Sequence, residues 1–275
     1  MKAILATTAG VFTLMGGVVQ AAEAPIGYIG ASGGGASIDA GAAGSADADL
    51  TNLQGLLVLP LSPGLGFELA AEGTQFDGET VTSPTARLMF DVGPGRLGGF
   101  VGGVSGDNFD LAGGGVEGRF NLSPDWRLDA SAGAASGDAD AWAARGELRF
   151  FVSDNTRLDG FANFVSFDAG GGSDDGWVFG FGAEHQFGGA PVSLFGRVEH
   201  GELNDIDIAS DSFRVGLRWN FGGGTLRDRD MDGQSSPGFA DLFGGDLLRG
   251  LAAALNAPPP SPPPPPPSPP PSGDS

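Results

Sequence analysis

From Ile26 to Phe221 the sequence alternates between two kinds of side chain with a period of two, in segments of about ten residues broken by turn residues. The last segment shows it most sharply. Phe213, Val215, Leu217, Trp219 and Phe221 share one parity, and Ser212, Arg214, Gly216, Arg218 and Asn220 share the other. Successive side chains of a strand point to opposite faces. Two further segments repeat the division: Trp142, Ala144, Gly146, Leu148 and Phe150 against Arg145, Glu147 and Arg149, and Trp177, Phe179, Phe181 and Ala183 against Gly180, Gly182, Glu184 and Gln186. A soluble sandwich turns a polar face outward and an apolar face inward. Here arginine alternates with glutamate on one face and aromatics fill the other, which fits a closed barrel with lipid outside and a polar interior. The pattern predicts an all-β chain, a transmembrane antiparallel up-and-down β-barrel of about twelve strands. Ten strands also fit, because glycine and leucine fill both parities of the first, second and fifth segments.

The segments are expected near 26–33, 50–60, 64–74, 84–92, 96–106, 109–121, 126–136, 141–152, 155–167, 175–187, 191–202 and 211–221. Tight connections rich in Pro, Gly, Asn and Asp, such as Leu61-Ser62-Pro63-Gly64, Gly93-Pro94-Gly95 and Ser123-Pro124-Asp125, carry turn chemistry. They alternate with acidic connections expected at 34–49, 75–83, 137–140, 168–174 and 203–210, and a short one near Asp107. Short turns on the periplasmic side, longer loops outside and an even strand number put both ends of the barrel in the periplasm. The four tryptophans agree. Trp126 and Trp219 fall at the turn side and Trp142 and Trp177 at the loop side, all in the lipid-facing parity. With Phe221 they form two membrane girdles.

Composition bears on compartment and partners. Net charge is −20 with 50 glycines and no cysteine, and the only lysine is Lys2. So acidic a chain is unsuited to nucleic acid, which calls for a basic surface. Lys2, the apolar run Ala3–Val19 and the small residues at Val19-Gln20-Ala21 read as a signal peptide over 1–21. The expected order is then a barrel over 22–221, an acidic flexible linker over 222–237, a short amphipathic helix over 238–256 and a proline-rich disordered tail over 257–275, in the periplasm.

The stretch 26–221, closing on Val215-Gly216-Leu217-Arg218-Trp219-Asn220-Phe221, resembles the porin-like outer-membrane β-barrel families of Gram-negative bacteria. That ending resembles their C-terminal assembly signal, although here 54 residues follow Phe221 (275 − 221). The resemblance implies insertion by the barrel-assembly machinery, a surround of outer-membrane lipid and lipopolysaccharide, and passive diffusion of small hydrophilic solutes.

By parity, the pore-lining candidates are Arg87, Glu117, Arg119, Arg127, Asp129, Arg145, Glu147, Arg149, Arg157, Asp159, Glu184, Arg197, Glu199, Arg214 and Arg218. Glu68, Glu72 and Asp91 share the inward face. Such a lining either orients solutes in a water-filled pore or pairs off to fill a narrow one. In the second case the chain is a closed structural barrel that anchors the envelope, with its tail on peptidoglycan or a periplasmic protein. No catalytic residues are expected. His185 and His200 fall in the outward parity, Ser193 in the opposite one, and no nucleophile motif is present. No cofactor is expected apart from one incomplete calcium motif. Asp228, Asp230, Asp232 and Gly233 match the start of a calcium loop, but Phe239 stands where the closing bidentate glutamate belongs. Phe239, Leu242, Phe243, Leu247, Leu248, Leu251 and Leu255 share one helical face, suited to docking under the barrel mouth, to the membrane surface or to a partner.

Overall fold

The computed structural model describes residues 24–248, except 42–43, 77–78, 107–108, 170–171, 205–207, 234–236 and 246. The signal peptide and the proline-rich tail read from the sequence lie outside the described residues. Twelve strands form one closed antiparallel barrel in up-and-down order. They are β1 (Ile26–Ala40), β2 (Ser45–Ser62), β3 (Leu65–Phe76), β4 (Glu79–Val92), β5 (Gly95–Ser105), β6 (Asp110–Asn121), β7 (Trp126–Gly137), β8 (Asp140–Ser153), β9 (Thr156–Ala169), β10 (Gly172–Gln186), β11 (Val192–Leu203) and β12 (Ile208–Phe221). The seam is β1 on β12, in register from Gly27 opposite Phe221 to Ala40 opposite Ile208. Closure leaves no sheet edge, so the backbone is satisfied in lipid.

The alternation is realised as read. Leu97, Val101, Val116, Phe181, Val198, Val215 and Leu217 stand on the outer wall, exposed, while Arg87, Arg119, Arg149 and Glu184 are buried inside. Trp126 stacks on Phe150 at the turn side, with 4.6 Å between ring centroids. Trp142, Phe164 and Trp177 form a continuous stack at the loop side, with spacings of 4.8 and 4.9 Å. All four tryptophans are exposed on the outer wall, and Phe221 is half-buried at the turn-side rim.

The acidic connections are shorter than expected. The stretch 34–49 is mostly strand, since β1 runs to Ala40 and β2 starts at Ser45. Likewise β3 ends at Phe76 and β4 starts at Glu79. Period two continues here, but the outward residues change from apolar to polar. Gly33 and Gly35 give way to Ser37 and Asp39, while Ala36 and Ile38 still face inward, buried. With 18 residues, β2 is well beyond the 9–11 that cross a bilayer, so the barrel rises above the lipid on its loop side.

The largest departure lies after Phe221. Gly222, Gly223 and Gly224 have φ of 94°, 75° and 78°, a run that favours glycine and turns the chain back into the barrel. Helix α1 (Leu226–Met231) follows, opened by a capping box between Thr225 and Asp228. The stretch read as a flexible linker thus contains an ordered helix, buried at Leu226, Arg229 and Asp230. Helix α2 is Phe239–Leu242, and of the helix expected over 238–256 the residues 246 and 249–256 lie outside the described residues. Its apolar residues sit inside the barrel, where the wall replaces the helix face as the source of packing.

Candidate functional site in the occupied lumen

All ten arginines of the strands are on the lumen parity, and they meet the wall carboxylates in several clusters of ion pairs. Arg87 bonds Glu117 at 2.9 Å, and Arg119 bonds Glu117 at 2.5 Å and Glu68 at 2.7 Å. Arg145 and Arg149 hold Glu147 from either side at 2.5 and 2.7 Å. Arg127 and Arg149 share Asp129 at 3.1 and 2.9 Å. Arg157 reaches Asp159 and Glu184, and Arg218 also closes on Glu184. Arg197 and Arg214 share Glu199 at 2.5 and 3.2 Å, and Arg214 also reaches Glu72 at 3.4 Å. Phe161 lies between the guanidiniums of Arg145 and Arg197, 3.8 and 4.2 Å from its ring centroid. The residues read as pore-lining therefore do face the lumen and come together. Asp91 instead sits exposed at the turn-side mouth, paired with Arg96 at 2.9 Å.

The C-terminal segment joins two of these clusters. Asp230, fully buried, places its carboxylate 2.8 Å from Arg127, 3.2 Å from Arg149 and 2.8 Å from Arg157. Asp228 is not beside it, being engaged at 2.9 Å with the backbone N–H of Thr225, and Asp232 caps the helix end. Hydrogen bonds to and from Thr225 hold the Asp228 carboxyl below the usual carboxylate range. The three aspartates of the calcium motif thus point to different partners. Among the described residues no group of three or more potential ligands could hold a metal ion.

Above α1 the segment stays bound to the wall. The carbonyls of Asp232, Gly233 and Pro237 accept from Arg96, Arg119 and Arg87. The N–H groups of Phe239 and Ala240 donate to Thr85 at 2.9 Å and Ser83 at 3.1 Å. Asn163 donates to the carbonyls of Asp241 and Leu242. Asp241 lies 3.6 Å from Arg197. Burial pushes its carboxyl up, but Arg197, Arg145 and Arg214 overrule that and hold it low.

Towards the loop end the lumen is apolar. Phe239, Leu242, Phe243, Leu247 and Leu248 belong to one buried cluster with Phe100, Phe109, Val165, Phe167, Leu203 and Ile208 of the wall. Phe239 packs on Phe243 at 4.9 Å and edge-on to Phe100 at 6.4 Å. Small wall residues make the seat. A Cβ at Gly102 would lie 2.8 Å from the Phe239 side chain, so only glycine fits there.

Among the described residues, open space runs beside the segment. At the turn-side mouth a vestibule of about 430 Å³ is bounded by Pro60, Gly64, Arg96, Asn121 and Met231. Deeper in, a crevice of about 90 Å³ lies between the segment and the wall, bordered by Tyr28, Gln54, Glu72, Arg197, Arg214, Arg218 and Asp241. A separate groove of about 1080 Å³ indents the outer wall near the loop side, where His200 bonds Asp211 at 2.8 Å between Phe179 and Phe213. His185 also faces out and bonds the Thr156 hydroxyl at 2.9 Å.

Sequence reasoning missed Arg96, because glycine fills both parities of β5, and it missed the plug. The plug did leave a signal. Phe100, Val104, Phe161, Val165 and Phe167 are large apolar residues in the lumen parity, and a water-filled pore would leave them wet.

No family model matches the sequence, and no curated protein matches it either. Solved structures do match the fold. The NanC porin aligns with a TM-score of 0.52 at 9% identity, covering 70% of this chain and 100% of its own. The COG4313 outer membrane channel from Pseudomonas putida F1 aligns with a TM-score of 0.50 at 17% identity, covering 73% and 97%. The chain has the porin-like outer-membrane β-barrel fold. The stretches aligned leave more than a quarter of this chain unmatched, and in this porin-like barrel a C-terminal segment follows the last strand and enters the bore.

Proposed function

We propose that this barrel is an outer-membrane channel for small hydrophilic solutes whose bore is restricted by its own C-terminal segment. The observation that carries this reading is the polar space left beside the segment, a turn-side vestibule and, apart from it, a crevice lined by Arg197, Arg214, Arg218, Glu72 and Asp241. A crevice of about 90 Å³ holds about three waters, at ~30 Å³ each. With the segment seated, the crevice has room for waters and none for a sugar-sized solute. With it displaced, the charge ladder borders an open bore, where paired guanidiniums and carboxylates orient polar solutes without strong preference for either sign. The fold shared with the NanC porin and the COG4313 channel supports the reading. A purely structural barrel fits less well, because a closed interior gains by packing to full density. The chemistry asked of the wall is binding and orientation, and no bond-making step is assigned to any residue.

The test is solute flux into liposomes carrying the refolded barrel. The full chain is expected to pass neutral sugars slowly, and a chain ending at Gly224 to pass them freely. Equal and negligible flux from both, with the barrel folded, would overturn the channel reading.

A further inference from the structure

Charge is unevenly shared along the inner wall. Arg127, Arg145 and Arg149 are linked through Asp129 and Glu147. Beside them Arg157 and Arg218 are linked through Asp159 and Glu184. The second cluster is neutral as it stands. The first sets three guanidiniums against two carboxylates, one positive charge in excess, and a buried charge calls for a counter-ion. Asp230 supplies it from outside the wall. Its buried carboxylate lies between the clusters, 2.8 Å from Arg127, 3.2 Å from Arg149 and 2.8 Å from Arg157. These donors stand on three adjacent strands, β7, β8 and β9, so the barrel builds the seat and the segment only fills it.

The occupant is the more easily moved of the two. It rides on α1, six residues long, and so short a helix depends on its surroundings to stay folded. Gly222, Gly223 and Gly224 join α1 to β12, and glycine backbone re-sets its dihedrals at little steric cost. The turn-side vestibule of about 430 Å³ reaches Met231 and Asp232, next in the chain to Asp230, and half-buried Arg96 borders it. An anion entering by that mouth meets one guanidinium at the entrance and the seat of Asp230 behind α1.

We propose that the guanidinium seat on β7, β8 and β9 is a binding site for carboxylates in solution, that Asp230 is its built-in occupant, and that a solute carboxylate competes with Asp230 and unseats α1. This deepens the channel reading by naming the solute class that loosens the segment, and rests on that reading only for passage of the solute. The wall as a whole stays near sign balance, so the preference is local to the seat. A carboxylate matches it, with one negative charge for an excess of one and two oxygens for a fork of donors. A phosphate group, at about −1.5 to −2 near pH 7, would bring surplus charge against Asp129, Glu147, Asp159 and Glu184.

The test is amide hydrogen exchange of residues 226–231 in the full chain in detergent, in sodium acetate and in sodium chloride of equal ionic strength. A ligand of the vacated seat raises opening by one plus the ratio of its concentration to its Kd, about threefold at twice Kd. Acetate is expected to speed exchange in α1 and to leave the strand amides as they are in chloride. In Asp230→Ala the seat is vacant while α1 is in place, so acetate binds without displacing it, and the acceleration is absent or reversed. Equal exchange in acetate and chloride, or the same acceleration in Asp230→Ala, would overturn the proposal. Inorganic phosphate at the same ionic strength is expected to act less than acetate, and a larger effect of phosphate would overturn the assignment to carboxylates. Exchange is read without flux, so failure here is distinct from failure of the channel reading.

Discussion

Asp230→Asn is the substitution that bears most directly on how the segment is held. The carboxylate lies within 2.8–3.2 Å of three guanidiniums in a site closed to solvent. Removing one member of a buried ion pair costs about 3–5 kcal/mol, mostly because the partner charge is left uncompensated. Here each arginine keeps a wall carboxylate: Asp129 for Arg127, Asp129 and Glu147 for Arg149, and Asp159 and Glu184 for Arg157. The lower end of that range is therefore expected, about 3 kcal/mol, which is roughly a hundredfold in the seating equilibrium at 1.4 kcal/mol per tenfold. Amide hydrogen exchange in detergent measures this locally. Protection across α1 and α2 should fall by about that factor while the strand amides stay protected. Unchanged protection in α1 and α2 would show that Asp230 does not hold the segment, and the ionic account of its seating would be wrong.

Acid should loosen the same segment through Asp241. Its carboxyl is held low when seated, so the sign follows that of a depressed acid. Its contribution is complete above the free value of about 3.9 and is lost as pH falls through the seated value. Flux should rise only below about pH 4, and Asp241→Asn should remove that rise; a pH profile unchanged in the variant would refute it. Phe243→Ala deletes a fully buried ring that packs on Phe239. By the usual cost of about 3–5 kcal/mol it should expose 239–248 to limited proteolysis while heat-modifiability of the barrel persists. Trp142→Ala breaks the stack with Phe164, an interaction of about 0.5–1.5 kcal/mol beyond burial. It should lower the temperature of unfolding in detergent and leave sugar flux as it was.

The barrel was legible because one physical rule, period two with lipid on one side, is written into most of its strands, the first, second and fifth being blurred by glycine and leucine in both parities. The lumen residues were legible for the same reason, down to Glu199 beside Arg214. The limits of the strands were less so. Ser37, Asp39, Asp47 and Asp49 read as loop because they are polar, yet they stand on strand that has risen clear of the lipid, where a polar outer face is the stable one. The stretch 226–248 was read as linker and amphipathic helix, and its place inside the barrel was not foreseen. A D-x-D-x-D-G spacing suits calcium and also suits a short capped helix, and Asp230 becomes a partner of arginines only because closure brings Arg127, Arg149 and Arg157 together from three strands. That convergence is a property of the closed sheet and leaves no local trace in 228–233. Phe239, Leu242 and Phe243 signalled a face in need of cover, and the apolar lumen parity at Phe100, Phe161 and Phe167 supplied it, but only the topology joins the two.

Single-channel recording in planar bilayers, with the full chain and the chain ending at Gly224 side by side, puts the restricted channel to its most direct test. Small or rare steps from the full chain and large, stable steps from the shortened one are expected, with Arg214→Gln and Arg218→Gln altering the size or ion preference of the latter. Identical steps from both chains, or silence from a shortened barrel that is folded and inserted, would contradict it.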